Sequence, residues 1–267
     1  MDFSTRRNNL LESLGVLVTI ALLILGISSF QSFELRRLTR QTAEASAEEL
    51  ERQSEAEQVY LNLLKESPAF GFNNLVADWV FLDFIQYFGD SPARDQIGYE
   101  LSPEYFEVIL KRDPYFRDAY LFLSGSSTLY AGRPDRTVEI MNQHIGELSP
   151  RVPEKAYFVW RYKGTDELLF LGDSQAAQQS FKTAAEWASI YSDPESRAAA
   201  QVSQQMAEYL AENPESKSAQ IAAWVMVLGN AFDEETQRYA ISQIEALGGN
   251  VSVDEQGRLQ IQQPEGD

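Results

Sequence analysis

His144 is the only histidine of the 267-residue chain, and cysteine is absent. No zinc constellation, disulfide or Cys–His nucleophile can be built from that set. The acid–base groups present in number are carboxylates, 40 Asp and Glu against 22 Lys and Arg. Two of them, Asp78 and Asp83, sit in the aromatic run FGFNNLVADWVFLDFIQYFGD at residues 70–90. Five residues apart on a helix, they point about 140° away from each other and do not form an acid–base pair. Asp78 falls between Leu82 and Ile85 on such a helix, so a buried carboxylate is expected there, paired with Arg94 or Arg112. No Gly-rich phosphate loop or nucleophile elbow accompanies these groups. The residues assign no catalytic, cofactor or metal role, and His144 reads as a packing residue.

Binding chemistry is better represented. Around the 74–88 helix Phe81, Phe84, Ile85 and Phe88 occupy one broad face, while Val76, Trp79, Val80, Leu82 and Tyr87 cover most of the remainder. A helix apolar on nearly every side is either buried or part of a binding surface. Trp79, Phe84 and Tyr87 are therefore candidate partner contacts. Trp160, Arg161, Tyr162, Lys163, Asp166 and Glu167 form the densest polar–aromatic cluster. Trp and Arg are frequent interface anchors, which makes Trp160, Arg161 and Tyr162 a second candidate contact. Arg–Asp and Lys–Glu pairs at helical spacing would give the same pattern without a ligand.

The elements that position these groups are helices. Periodic segments are expected near 72–88, 102–112, 115–131, 135–147, 154–171, 174–190, 194–212, 217–231 and 234–247. Asp113-Pro114, Ser149-Pro150, Asp193-Pro194 and Asn213-Pro214 mark boundaries, because proline disfavours helix in the residue before it. Short turns between short helices imply antiparallel neighbours. After Gly248-Gly249, residues Val251, Val253, Leu259 and Ile261 alternate with polar ones around Asp254–Gly257, the pattern of a small hairpin with one buried face. Two strands alone are marginal in water, so the hairpin should pack on the last helices.

Ahead of these elements, Ser13 to Phe33 carries no ionised side chain, and Leu14 to Phe30 reads LGVLVTIALLILGISSF. At 1.5 Å per residue the run gives roughly 31 Å of helix, the thickness of a bilayer's hydrocarbon core. It reads as a retained single-pass anchor, with Arg6 and Arg7 on one side and Arg36, Arg37 and Arg40 on the other. Three against two leans toward a cytoplasmic C-terminal domain. Residues 34–66, free of Gly and Pro, read as a polar helical stalk. The division is 1–33 anchor, 34–66 stalk, 67–247 helical domain and 248–267 hairpin with tail. Residues 53–267 hold 16 Lys or Arg and 33 Asp or Glu, a formal charge of −17. Such a surface is repelled by phosphate backbones, which excludes nucleic acid as an expected partner.

Spacing within the helix pairs resembles the tetratricopeptide repeat. Gly172, Ala177, Phe181 and Ala184 match it best, Tyr120, Leu123, Gly132 and Pro150 more loosely, and Gly98, Phe106, Ile109 and Pro114 least; position 137 holds Thr where the family prefers Ala. Residues 70–90 and the segment FVWRYKGTDELLFLGD at 158–173 also resemble membrane-anchored repeat proteins of cyanobacteria. The resemblance implies an all-α helical-hairpin solenoid, no enzymatic activity, and work at a plasma or thylakoid membrane. The expected function is a membrane-anchored protein-binding scaffold, an assembly or accessory factor for a membrane complex. An accessory subunit of a secretion or envelope machine and a carboxylate-dependent membrane enzyme are the alternatives.

Overall fold

The computed structural model describes residues 46–231, 233–253 and 259–262. The anchor and the first part of the stalk lie outside the described residues, and among the described residues no helix is long and apolar enough to cross a membrane. In chain order the α-helices are α1 (Ala47–Glu66), α2 (Asn73–Gly89), α3 (Ser91–Ile97), α4 (Ser102–Arg112), α5 (Arg117–Leu123) and α6 (Pro134–His144). They are followed by α7 (Tyr157–Leu169), α8 (Ser174–Ala188), α9 (Pro194–Glu212), α10 (Lys217–Gly229) and α11 (Glu234–Ala246). Strands β1 (Asn250–Val253) and β2 (Leu259–Gln262) close the described chain. Contacts divide it into two units, residues 1–53 with 90–97 and residues 54–89 with 98–267. The first holds the opening turns of α1, where Ser46 Oγ accepts the Glu49 N–H at 3.3 Å, and the short helix α3, which the sequence reading did not anticipate.

In the second unit the helix starts follow from local chemistry. Helices α8 to α11 are each N-capped by the side chain expected of a cap: Asp173 accepts from Ala176 N, Asp193 from Ser196 N, Ser216 from Ala219 N and Asp233 from Thr236 N. Each cap satisfies a backbone donor that the helix itself leaves open. The Ser196 hydroxyl and N–H, with Lys155 nearby, hold the Asp193 carboxyl down at about 2. Gly132 and Gly172 sit in the turns before α6 and α8 with φ of 64° and 66°, a conformation only glycine adopts without strain.

The expected 115–131 helix is two structures. Helix α5 ends at Leu123 and a π-helical segment runs from Ser124 to Tyr130. Its sequence, SGSSTLY, is rich in residues whose hydroxyls compete for backbone acceptors, and Ser126 Oγ donates to Phe122 O at 2.7 Å. A wider turn of this kind is uncommon and concentrates at functional sites.

One core joins α2, α4, α5 and α6 through Ala77, Val80, Phe84, Phe106, Ile109, Leu123 and Ile140, all without exposed surface. Phe84 and Phe106 meet edge to face at 4.6 Å and 64°. A second core lies among α7 to α10, where Ala177 and Phe181 meet Met206, Leu210 and Ala223. Ala177, Phe181 and Ala184 are all fully buried, the placement that the repeat resemblance implies for them. A third core joins α10 and α11 through Trp224, Ala240 and Ile244, and the hairpin residues Val251 and Ile261, paired across the strands, pack against it.

The expected stalk is revised over its C-terminal half. Leu61 is buried in the first core with Leu64 beside it, and Tyr105 Oη donates to Glu57 at 3.0 Å. Lys65 pairs with Glu107 at 2.5 Å and Lys111 with Glu66 at 3.0 Å. Arg112 donates to the carbonyls of Leu64 and Ser67, where the C-terminal end of α1 concentrates negative charge. Residues 54–66 are thus packed onto α4 by an apolar stripe and charged rungs. The stripe is only two leucines wide, too sparse to stand out in a polar sequence.

Candidate interaction surface

Helix α2 has two apolar faces with different environments. Ala77, Val80 and Phe84 line the inner one. On the opposite side, 0, 4 and 7 residues along the helix, Leu75, Trp79 and Leu82 are 65%, 59% and 58% exposed. Phe72 continues this face just ahead of the first turn at 65% exposure, and Phe70 before it is 86% exposed. Ile85, 42% exposed, lies at its edge. Position 78 falls on one flank of the face and position 83 on the other at 100° per residue. No charged residue interrupts the stripe itself, which makes it an apolar strip rimmed by acid.

Asp78 departs from the expectation of a buried, paired carboxylate. Asp78 is exposed and is not a buried charge. Arg112, expected as its partner, caps α1 and reaches Asn73 Oδ1 at 3.3 Å, while Arg94 belongs to the other unit. Partial burial pushes the Asp83 carboxyl above its ordinary value, while a hydrogen bond from Trp79 opposes that shift. That bond also fixes the indole on the face, because Trp79 and Asp83 stand one helical turn apart.

Of the other sequence candidates, Phe84 is fully buried and supports the face from behind. Tyr87 packs at 5.0 Å on Tyr105, and its hydroxyl accepts the Leu101 N–H at 3.1 Å, so it is an internal bracket for α4. The α7 residues are mostly turned inward. Trp160 meets Trp187 edge-on at 5.8 Å, and its Nε1 is buried without a hydrogen bond among the described residues. Arg161 stacks on Phe158 at 5.7 Å, and burial holds its guanidinium below the usual pKa. Tyr162 stacks on the same Phe158 ring at 6.1 Å, and burial raises its hydroxyl to about 12.

Lys163 and Glu167 form the expected pair one turn apart, and Ser180 Oγ completes the set by donating to Glu167 at 2.6 Å. All three are buried, which makes the set a polar clasp between α7 and α8. Asp166 pairs with Ser124 Oγ at 3.0 Å, not with an arginine. Sequence reasoning grouped residues 160–167 by proximity along the chain, but helical rotation sends them to three different neighbours.

His144 ends α6, and burial lowers its pKa. Among the described residues no group of three or more His, Asp or Glu is placed to hold a metal ion. The apolar strip of α2 can bind another apolar surface; it presents no reacting group. No protein-family model, curated protein or solved structure matches this chain.

Proposed function

We propose that the protein is a membrane-anchored helical-repeat scaffold that binds other proteins, an assembly or accessory factor for a membrane complex. The observation that carries this reading is the outward face of α2, where Leu75, Trp79 and Leu82 leave an apolar strip without cover among the described residues. Contiguous exposed apolar strips on folded domains mark interaction sites more often than chance, and a fixed indole is a frequent anchor. The helical-hairpin solenoid is supported by α7 to α11, successive helices joined by short turns with small residues at the close contacts. Attachment through residues 13–33 would hold the strip near membrane clients and raise their effective concentration. The resemblance of residues 70–90 and 158–173 to anchored repeat proteins of cyanobacteria supports a plasma or thylakoid membrane, by analogy of sequence alone.

Photo-crosslinking in intact membranes tests the reading. A benzoylphenylalanine at Leu75 should capture a discrete protein in stoichiometric yield, and one at exposed Glu186 on α8 should not. Trp79→Ser combined with Leu82→Ser should abolish that product while the melting temperature stays unchanged. Crosslinks from position 75 to lipid alone, or a product unaffected by the double variant, would overturn the scaffold reading of this face.

A further inference from the structure

The outward face of α2 has a spacing of its own. Phe72, Leu75, Trp79 and Leu82 follow one another at intervals of 3, 4 and 3 residues. Val76 N donates to Phe72 O at 3.1 Å, which puts Phe72 at the start of the same helical ladder. Alternating steps of three and four keep side chains on one narrow seam, the arrangement by which one helix packs along another. The next seam position is the exposed Gln86, so the apolar run stops after roughly 15 Å of helix.

The charges of this helix stand at the two edges of the seam. At 100° per residue, Asp78 lies about 80° to one side of its midline and Asp83 about 60° to the other. In paired helices, side chains at these flanking positions meet across the interface and set partner and orientation. Asp78 is exposed and Asp83 only partly covered, and neither belongs to an ion pair among the described residues. Residues 70–89 hold no Lys or Arg. Arg112 reaches Asn73 Oδ1 at 3.3 Å but is committed to the carbonyls of Leu64 and Ser67 at the end of α1.

These edges discriminate among occupants. A second copy laid in register would bring Asp78 and Asp83 against the same two residues in either orientation, and like charges there repel. The seam is also only about a heptad and a half long, short of the three to four heptads of a self-sustaining coiled coil. An anionic lipid surface meets the two acids with the same sign. A helix with Lys or Arg on both sides of an apolar stripe suits both features. Its stripe covers Trp79 and Leu82 while its cations pair with the two carboxylates.

We propose that the occupant of this face is an amphipathic helix of another protein, its apolar stripe flanked on both sides by Lys or Arg. The proposal rests on the reading of α2 as a protein-binding face and adds the chemistry of the partner's contact.

Crosslinking to designed peptides tests it, on the full chain in phosphatidylcholine nanodiscs with benzoylphenylalanine in place of Leu75. The probe is a labelled three-heptad peptide with Leu at its seam positions and Lys at both flanking ones. One counterpart carries Glu at the flanks, and another keeps the Lys but has Ser in the seam. At physiological salt, charges beyond about 8 Å are screened, so the readout reports the acids beside the seam. The Lys–Leu peptide should crosslink saturably, with half-saturation at least about tenfold below that of the Glu peptide. The Lys–Ser peptide should not crosslink, which separates the seam from the overall acidity of the chain. Asp78→Lys with Asp83→Lys should reverse the order of the Lys–Leu and Glu peptides. Asp78→Asn with Asp83→Asn, which keeps side-chain shape, should erase most of the difference and keeps the test decisive if the lysine variant does not fold. A preference unchanged by either double variant, a chain-to-chain product, or phosphatidylcholine as the sole product would overturn the proposal. The two readings fail separately. A protein captured from native membranes by position 75, in a yield unchanged by Asp78→Lys with Asp83→Lys, would leave the scaffold standing and remove the basic helix.

Discussion

Burial raises the Asp166 carboxyl to about 7 against a hydrogen bond from Ser124 that favours its ionised form, and the nearby Glu167 adds to the rise. Glu167 is itself engaged by Lys163 and Ser180, so that pair partly screens its charge. The folded state therefore holds a proton on Asp166 that the unfolded chain releases near 4. Its contribution to stability is complete at about pH 4 and is lost progressively as the pH rises toward 7. Asp166→Asn keeps an acceptor for Ser124 and removes the ionisation. Urea unfolding between pH 4.5 and 8 should show wild-type stability falling with pH and the variant nearly flat, with the variant the more stable at pH 8. A wild-type curve that rises over this range would refute a neutral buried acid.

At the scale of elements, the proposed binding role of α2 predicts that its two faces separate stability from recognition. Phe84 is fully buried among Phe106, Phe122 and Tyr105, so Phe84→Ala should lower stability by about 3–5 kcal/mol. Trp79 is 59% exposed, and Trp79→Ser should change stability by only about 0.5 kcal/mol while partner crosslinking falls sharply. Chemical denaturation and crosslink yield, read on the same preparations, check both. The α7–α8 contact is more exacting. A Cβ added at Gly164 would stand 3.0 Å from the Phe181 ring, which is itself fully buried. Gly164→Ala gains about 1 kcal/mol of helix propensity but overpacks a ring with little room to yield. A net loss of about 1 kcal/mol is expected, and Phe181→Ala should cost about 3–5 kcal/mol. A Gly164→Ala variant that melts above wild type would show the helices free to separate.

For the whole molecule, attachment and folding should be separable. On the proposed anchoring through residues 13–33, Ile20→Arg would place a charge in mid-bilayer and should reduce insertion by about 2.5–3.5 kcal/mol on translocon scales. Removal of residues 1–33 leaves all of the packed helices, so the truncated chain should keep its helical circular dichroism and leave carbonate-washed membranes. Retention in those membranes would assign the attachment to another surface, with the α2 strip the first to examine through Trp79→Ser and Leu82→Ser. The charge of −17 over residues 53–267 keeps such retention from being electrostatic on anionic lipid.

By itself the sequence determined what depends on neighbours along the chain. Helix starts at Pro194, Lys217 and Glu234 were legible because a capping side chain and the proline or acidic turn around it act within one turn. Burial of Ala177 and Phe181 was what the tetratricopeptide resemblance implied, and a terminal hairpin with Val251 and Ile261 on its covered face followed from alternation, since one face of a small hairpin must be buried. Tertiary structure decided where periodicity carries no contrast. A helix apolar all round does not announce which side faces out, so only packing on α4 and α5 placed Phe84 inside and Trp79 outside. Leu61 and Leu64, two of three leucines in a polar segment, could not announce that residues 54–66 pack, because the charged rungs that fix them come from α4, more than 40 positions away. Two side-chain contacts were equally hidden, Tyr130 with Asp233 and Ser124 with Asp166, pairs 103 and 42 positions apart in the chain. Contacts at that separation form only when the helices between them have packed, and no local pattern of residue types encodes them.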